Sequence, residues 1–417
     1  MDKVQPAAGL SDPYKNPELF RWLDSLEGVP DWLGPAETDV ERASWFDWQR
    51  RGNHIFGLIG SMMPGLVLAF LIAMAGRVVA NLPNEFFGFE KTPISPILVA
   101  ILLGLFLRNA IGLPAVYEAG LQLALKKVLR IGVALLGIRL SLAATGAIGL
   151  VALPIVVVCI ATALFFVTRV GAAVGLPPRL ATLIAVGTAI CGNSAIVAMA
   201  PVISATDDEV SYAVGCITIF GLVALIFYPY LGHFLFDGEP TLIGLFMGTA
   251  IHDTAQVAGA GMVYLAQYGT AEVLDAATVT KLQRNMFMLA VIPLMAFHSN
   301  RSRAKGSIRS QIRAALPMFV FGFLAMSLLR TLGDMGERPF GIMSPETWSM
   351  VIGWATQTAT LCLAVAMAAV GLGTSFTKLR GLGTRPLFVG LFAAALVGCV
   401  SYALVRLLAP YAMGIGA

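Results

Sequence analysis

The sequence predicts an all-α, polytopic membrane protein. Two observations carry that prediction. Of 417 residues, 57% are hydrophobic and 12% charged, whereas a soluble domain has about 45–50% apolar and about 25% charged residues. The apolar residues also fall into runs long enough to cross a bilayer, which takes about 20 residues each. A backbone exposed to lipid must satisfy its own hydrogen bonds, so these runs read as helices. Mean hydropathy is +0.80. So little charge excludes a soluble enzyme, a disordered chain and a nucleic-acid binder.

Residues 1–52 stand apart as an acidic, Trp-rich cytoplasmic region. They hold 6 Lys/Arg against 10 Asp/Glu, while the remaining residues are basic by +8. The first apolar run begins only near Ile55, so no cleavable signal peptide is expected. Residues Pro17–Leu26 have helical apolar spacing suited to a membrane surface or a partner protomer.

Residues 53–417 form the transmembrane domain. Eleven apolar runs are expected as spans, near 55–80, 95–112, 123–143, 147–168, 180–203, 210–231, 241–266, 282–298, 314–332, 346–376 and 387–409. Lys and Arg gather at alternate flanks, as in Arg50-Arg51, Lys126-Lys127 and the run from Arg301 to Arg313. That bias predicts a multi-pass protein with its N-terminus inside and C-terminus outside. It also puts the acidic turn Asp207-Asp208-Glu209 outside. Eleven spans suggest one extra helix plus a 5+5 inverted repeat, a common transporter plan. The five cysteines lie in apolar runs and read as reduced packing residues.

Four segments carry polar residues where lipid disfavours them. Span 5 reads Gly187-Thr188-Ala189-Ile190-Cys191-Gly192-Asn193-Ser194. Its central glycines and Asn-Ser predict an interrupted helix, whose free N–H and C=O ends suit ions. Span 7 repeats the pattern as Gly248-Thr249-Ala250-Ile251-His252-Asp253. Asp253 is the one acid placed well inside a span, at a cost of at least ~2.5–3.5 kcal/mol unless compensated. Thr249, His252, Asp253 and Gln256 would form one polar stripe on a continuous helix. Span 3 carries Arg130 and Arg139, which could bind an oxyanion or balance Asp253. Span 10 carries Gln357 and Thr360, placed to meet Asn193 and Ser194. No Gly-rich phosphate loop, nucleophile elbow or metal-ligand cluster is present, so neither enzymatic activity nor a cofactor is expected.

These motifs, with Leu129-Arg130-Ile131-Gly132 through Leu140, resemble the YeiH-type family of bacterial membrane proteins, which carries the label of sulfate exporter. The resemblance covers about residues 55–410. It implies kinship with the cation-antiporter and bile-acid-symporter superfamily, and hence a panel domain and a core with two crossing, interrupted helices, here spans 5 and 10. It also implies Na⁺ ligation by Asn193, Ser194 and Gln357. The expected function is secondary transport of a small inorganic or organic anion such as sulfate, coupled to H⁺ or Na⁺. The expected ion and substrate residues are Thr188, Asn193, Ser194, His252, Asp253, Gln256, Gln357 and Thr360, with Arg130 and Arg139 as anion-binding or charge-balancing groups. A homodimer in the lipid bilayer is one expected assembly. The competing readings are a cation/proton antiporter, a membrane subunit of a decarboxylase-type sodium pump and a structural or sensory membrane protein.

Overall fold

The computed structural model describes residues 48–87, 95–298, 317–336, 338–376 and 383–412. The expected surface helix at residues 17–26 and the basic run from Arg301 to Arg313 lie outside them. Among the described residues every regular element is helical. The helices are α1 (Trp48–Phe87), α2 (Pro96–Ala110), α3 (Glu118–Leu123), α4 (Leu129–Leu136), α5 (Leu142–Ala173), α6 (Pro178–Ala189), α7 (Asn193–Met199) and α8 (Asp207–Leu235). They continue as α9 (Pro240–Ala250), α10 (Thr254–Tyr268), α11 (Ala271–Met286), α12 (Met288–His298), α13 (Met318–Gly333), α14 (Pro345–Gly373) and α15 (Thr384–Ala412).

Five of them (α1, α5, α8, α14 and α15) are long and apolar enough to cross a membrane, and α2, α9 and α13 are shorter apolar helices. The exposed surface of the long helices is greasy, as lipid contact requires: Leu71, Leu150, Phe166, Phe227, Trp354 and Leu391 are all exposed. Span 3 is built from short pieces, with a wide turn at Ala124–Val128 between α3 and α4 and a tight turn at Gly137–Arg139.

The helices start where the sequence supplies caps. Ser141 accepts from Ala144 N–H to begin α5. Thr206 and Glu209 form a reciprocal capping box at the start of α8. Proline opens α2, α6, α9 and α14, where its missing N–H costs nothing. Outside the apolar bundle, Asp334 at the end of α13 accepts from Trp348 Nε1 at 2.9 Å and from Arg330. Burial raises its carboxyl, but these hydrogen bonds and the Arg330 charge outweigh that and hold it below the usual carboxylate range.

Two buried clusters organise the bundle. The smaller joins α1, α2, α3 and α14 through Ala69, Ala73, Ala100, Leu121, Ala368 and Leu372. The larger surrounds α5 to α11 and α15 and contains the polar segments.

Spans 5 and 7 both depart from the expected single crossing. In span 7, Gly244 lies against Ala276 and Gly248 against Thr280, so α9 runs parallel to α11. Gly261 lies against Leu274, and Asn285 Nδ2 donates to Thr254 Oγ1, so α10 runs antiparallel to α11. The chain therefore doubles back at residues 251–253. Span 5 does the same. Gly192 takes φ = 75°, its N–H donates to Gly187 C=O at 3.0 Å, and Ile196 of α7 returns against Gly187 of α6. The positive φ suits glycine because a Cβ would be strained there.

The two hairpins have feet at opposite ends of the bundle. The first runs directly into the start of α8 and the second leaves from its end. At 29 residues, α8 is about 43 Å long. Both tips meet near its middle, where Gly187 touches Ile217 and Gln256 Nε2 donates to Thr218 C=O. Asp207-Asp208-Glu209 consequently lies at the same end as the foot of the first hairpin, not beyond a crossing helix.

The expectation that span 10 is the second interrupted helix is also corrected. α14 is continuous from Pro345 to Gly373. Its Thr358 and Thr360 hydroxyls donate to Trp354 C=O and Thr356 C=O of the same helix, so its polar residues need no break. The second break is in span 7. With cysteines at Asp237→Cys and Glu272→Cys in a cysteine-free background, a membrane-impermeant thiol reagent should label both from one side, and Asp208→Cys from the other. Labelling of positions 237 and 272 from opposite sides would show that span 7 crosses.

Candidate functional site

An interrupted helix leaves carbonyls without partners at the end of one arm and N–H groups without partners at the start of the next. The hairpins bring two such pairs together. The carbonyl ends belong to α6 and α9, and they carry the repeated Gly-Thr-Ala-Ile motif. The sequence echo therefore marks the last turn before each break.

Two cations from α11 meet those carbonyls. Lys281 Nζ donates to Ile190 C=O at 3.0 Å, to Ile251 C=O at 2.9 Å and to His252 C=O. An ammonium has three donors, and all three are used. Arg284 donates from Nε to Ala189 C=O at 2.7 Å, to Thr249 C=O at 2.5 Å and to Thr188 C=O. Both side chains are fully buried. They lie three residues apart, on one face of α11, which is why one helix can reach both tips. The negative end of each arm's dipole favours the cation it receives.

The N–H ends meet an acid. Asp253 caps α10, accepting Ala255 N–H at 2.7 Å, while Gln256 Oε1 accepts Asp253 N–H at 3.3 Å. The Asp253 carboxylate also accepts from Asn193 N–H, the first of α7. One carboxylate thus serves the start of both returning arms. Gly192 lets it approach, because a methyl there would sit 2.9 Å from Asp253 Oδ2.

Several buried polar atoms on the elements around the tips have no hydrogen-bond partner in the protein: Thr188 Oγ1, Asn193 Oδ1, Thr218 Oγ1, His252 Nδ1, Thr280 Oγ1 and Asn285 Oδ1. Buried polar groups are ordinarily satisfied, so this concentration needs explaining. Ser194 is half-buried in the first turn of α7. Among the described residues no cluster of His, Cys, Asp or Glu has metal-holding geometry.

Of the residues expected to form a site, Thr188, Asn193, Ser194, His252, Asp253 and Gln256 belong to the two tips or their first turns. Gln357 is exposed and Thr360 bonds within α14, so neither joins Asn193. The four-residue stripe does not exist as a helix face. The break separates Thr249 from Asp253, and the Thr249 hydroxyl turns to Leu245 C=O and Ser401 Oγ, both at 2.6 Å. Arg139 does not balance Asp253. Its Nε lies 2.9 Å from Asp275 Oδ1. Arg130 is exposed, with its guanidinium 5.9 Å from the centre of the Phe319 ring.

Asp253 is therefore not the sole acid within the helical bundle, since Asp275 is buried as well. Lys281 and Arg284 were missed for the same reason. Residues 271–281 are too polar to read as a span, so Lys281 falls in the expected connection between spans 7 and 8, and Arg284 falls in the first turn of the expected span 282–298, where a cation reads as a flank residue. A signal was present: Lys281, Arg284 and Asn285 stand at the edge of the apolar run that begins at Leu282. None of the five cysteines is in a disulfide; Cys159, Cys191 and Cys216 are buried, whereas Cys399 is exposed.

The sequence matches the family model described as conserved hypothetical protein 698 over residues 64–390. It is 32% identical to a UPF0324 membrane protein of Fusobacterium nucleatum over 351 residues, covering 82% of this chain and 97% of that protein. A UPF0324 membrane protein of Bacillus cereus is 34% identical over 354 residues, covering 84% and 94%. One of Agrobacterium fabrum is 30% identical over 349 residues, covering 84% and 94%. The chain belongs to the UPF0324 family of membrane proteins. The YeiH-type resemblance fits this family, and the match spans both hairpins.

Arg284→Met should lower stability in detergent far more than Arg139→Gln. The first strands several buried carbonyls at about 1–3 kcal/mol each. The second breaks one pair near the start of α11, and its cost should remain nearer the cost of one buried ion-pair partner, at most about 3–5 kcal/mol. Equal losses in thermal midpoint would mean that the hairpin carbonyls do not depend on Arg284.

Proposed function

We propose that this protein is a secondary transporter of a small anion, working by alternating access at the meeting of the two hairpin tips. The supporting observation is the arrangement of charge there. Two buried cationic side chains, Lys281 and Arg284, take the carbonyl ends of the two tips, while one acid, Asp253, takes N–H groups at the starts of the two returning half-helices. Half-helix N-termini attract anions. The unsatisfied Asn193 amide oxygen and His252 ring nitrogen stand beside them as orienting groups. The candidate substrates are sulfate, a related sulfur oxyanion or an organic acid. The coupling ion in this reading is H⁺ or Na⁺, with Asp253 as the residue that senses it.

In this arrangement the protein sits in the bacterial cytoplasmic membrane with its N-terminus inside. Spans 5 and 7 enter from opposite faces without crossing, and the other nine segments cross. That number is odd, so the termini still fall on opposite sides. A hairpin from each face also gives alternating access a simple geometry, because moving the core exposes one tip at a time. Transport, rather than chemistry on a substrate, fits a site built from helix ends and neutral polar groups.

Purified protein in liposomes should take up labelled sulfate, sulfite or a small organic anion when a proton or sodium gradient is imposed. Asn193→Ala should reduce that flux by about tenfold, the equivalent of one good hydrogen bond at about 1.4 kcal/mol. Asp253→Asn should flatten its pH profile. Absence of flux for all these anions under both gradients overturns the anion reading, and gradient-driven cation flux in the same vesicles would favour an antiporter. An unchanged pH profile in Asp253→Asn would remove that residue from coupling.

A further inference from the structure

Half-helix carbonyl ends are where transporters with interrupted helices bind their coupling Na⁺, because the free oxygens replace its hydration shell. In this protein those oxygens are engaged by the chain itself. From the first tip, Thr188, Ala189 and Ile190 offer their carbonyls; from the second, Thr249, Ile251 and His252 do so. All six accept from Lys281 or Arg284.

We propose that Lys281 and Arg284 are tethered cations occupying the coupling-cation positions of both hairpins, so that this transporter neither binds nor needs sodium. The inference deepens the transport reading and rests on it for its meaning. The bonding at Lys281 carries it furthest. One ammonium accounts for oxygens from both tips, Ile190 on one side and Ile251 and His252 on the other, which is the bridging work a bound metal ion would perform. It has no donor left for a water or a substrate. A sodium ion placed among the same carbonyls would lie against two full positive charges with one carboxylate, Asp253, to offset them. Coulomb repulsion at such distances in a water-excluded site is too large for carbonyl ligation to offset.

The tether also explains a feature of the sequence. The tips have no acidic residue among the carbonyl-bearing positions Thr188–Ile190 and Thr249–Ile251. A site evolved to hold a mobile cation gains from carboxylate ligands, whereas a permanent cation on a packed helix needs only the dipole ends and carbonyl oxygens. The remaining charged groups around Lys281 are Arg284 on its own helix and Asp253 at the second tip, with the His252 ring and the Cys191 thiol nearby.

The binding test does not depend on flux. The thermal midpoint of purified full-length protein in detergent is measured in NaCl and in choline chloride at equal ionic strength. A cation that binds the native state raises its stability with concentration. The wild type should show a sodium-specific shift below about 1 °C up to about 100 mM, since an ion without affinity adds nothing. Lys281→Ala should have a lower midpoint in choline and regain part of it in NaCl, because sodium can then enter among the vacated carbonyls. Lys281→Arg keeps the charge and should remain insensitive. A sodium-dependent rise in the wild type overturns the proposal, and so does a folded Lys281→Ala that gains no sodium response. If Lys281→Ala does not fold, the wild type and Lys281→Arg decide the question. In liposomes, wild-type anion flux should be equal in sodium and choline media. Flux that requires sodium overturns the tethered-cation inference and leaves anion transport standing. No flux in either medium overturns the transport reading while the binding result still decides whether the cation positions are filled.

Discussion

The carbonyl ends of two helical hairpins face each other in the middle of the bundle, and Lys281 and Arg284 are what they meet. Much of the architecture follows from that contact. A carbonyl at a buried helix end has no water to bond, and leaving it unpaired costs about 1–3 kcal/mol. Six of them cannot be left together in a dry interior. The same two cations, moved alone into an apolar bundle, would be far more costly. Each problem answers the other, provided that both tips and α11 occupy the same place.

That proviso explains the packing around the site. Gly244, Gly248 and Gly261 let α9 and α10 lie close along α11, with Ala276, Thr280 and Leu274 directly against them. At α8, Gly221 leaves room for the Gln256 side chain, which bonds to the Thr218 carbonyl. The small residues are therefore not only a means for helices to approach, as is common in membrane proteins. They set the depth at which the tips stop. Asp253 completes the arrangement from the other direction, since its carboxylate takes N–H groups from both returning arms. Each half-helix end thus has a charged partner of opposite sign to its dipole.

The sequence located the break in span 5 and the unusual polarity of span 7, but neither the second break nor the consequences of either. Gly-rich, polar stretches at residues 187–194 and 248–256 are local features, and a helix weakened by Gly192 is readable from the residues themselves. Whether the chain continues in the same direction after a break is not local. It depends on whether α7 and α10 pack beside their own first arms or beyond them, and contacts such as Ile196 on Gly187 settle that only in three dimensions. The same limit explains the misplaced Gln357 and Thr360. Their polarity marked α14 as unusual, but hydroxyls that bond to their own helix look identical in sequence to hydroxyls that line a site.

By itself, the sequence determined the membrane class, the helical content and the two polar segments, because hydropathy and helix-breaking residues act over a single turn or span. The tertiary structure decided that spans 5 and 7 are the interrupted pair, that their tips meet, and that Arg139 serves Asp275 rather than Asp253. It also decided that Lys281 and Arg284 are interior residues. A lysine just before an apolar run and an arginine in its first turn read as residues of the wet edge of a span. What makes them interior is a set of carbonyl partners lying 29 to 96 residues away along the chain, and burial of a charge is governed by those partners rather than by its neighbours in sequence.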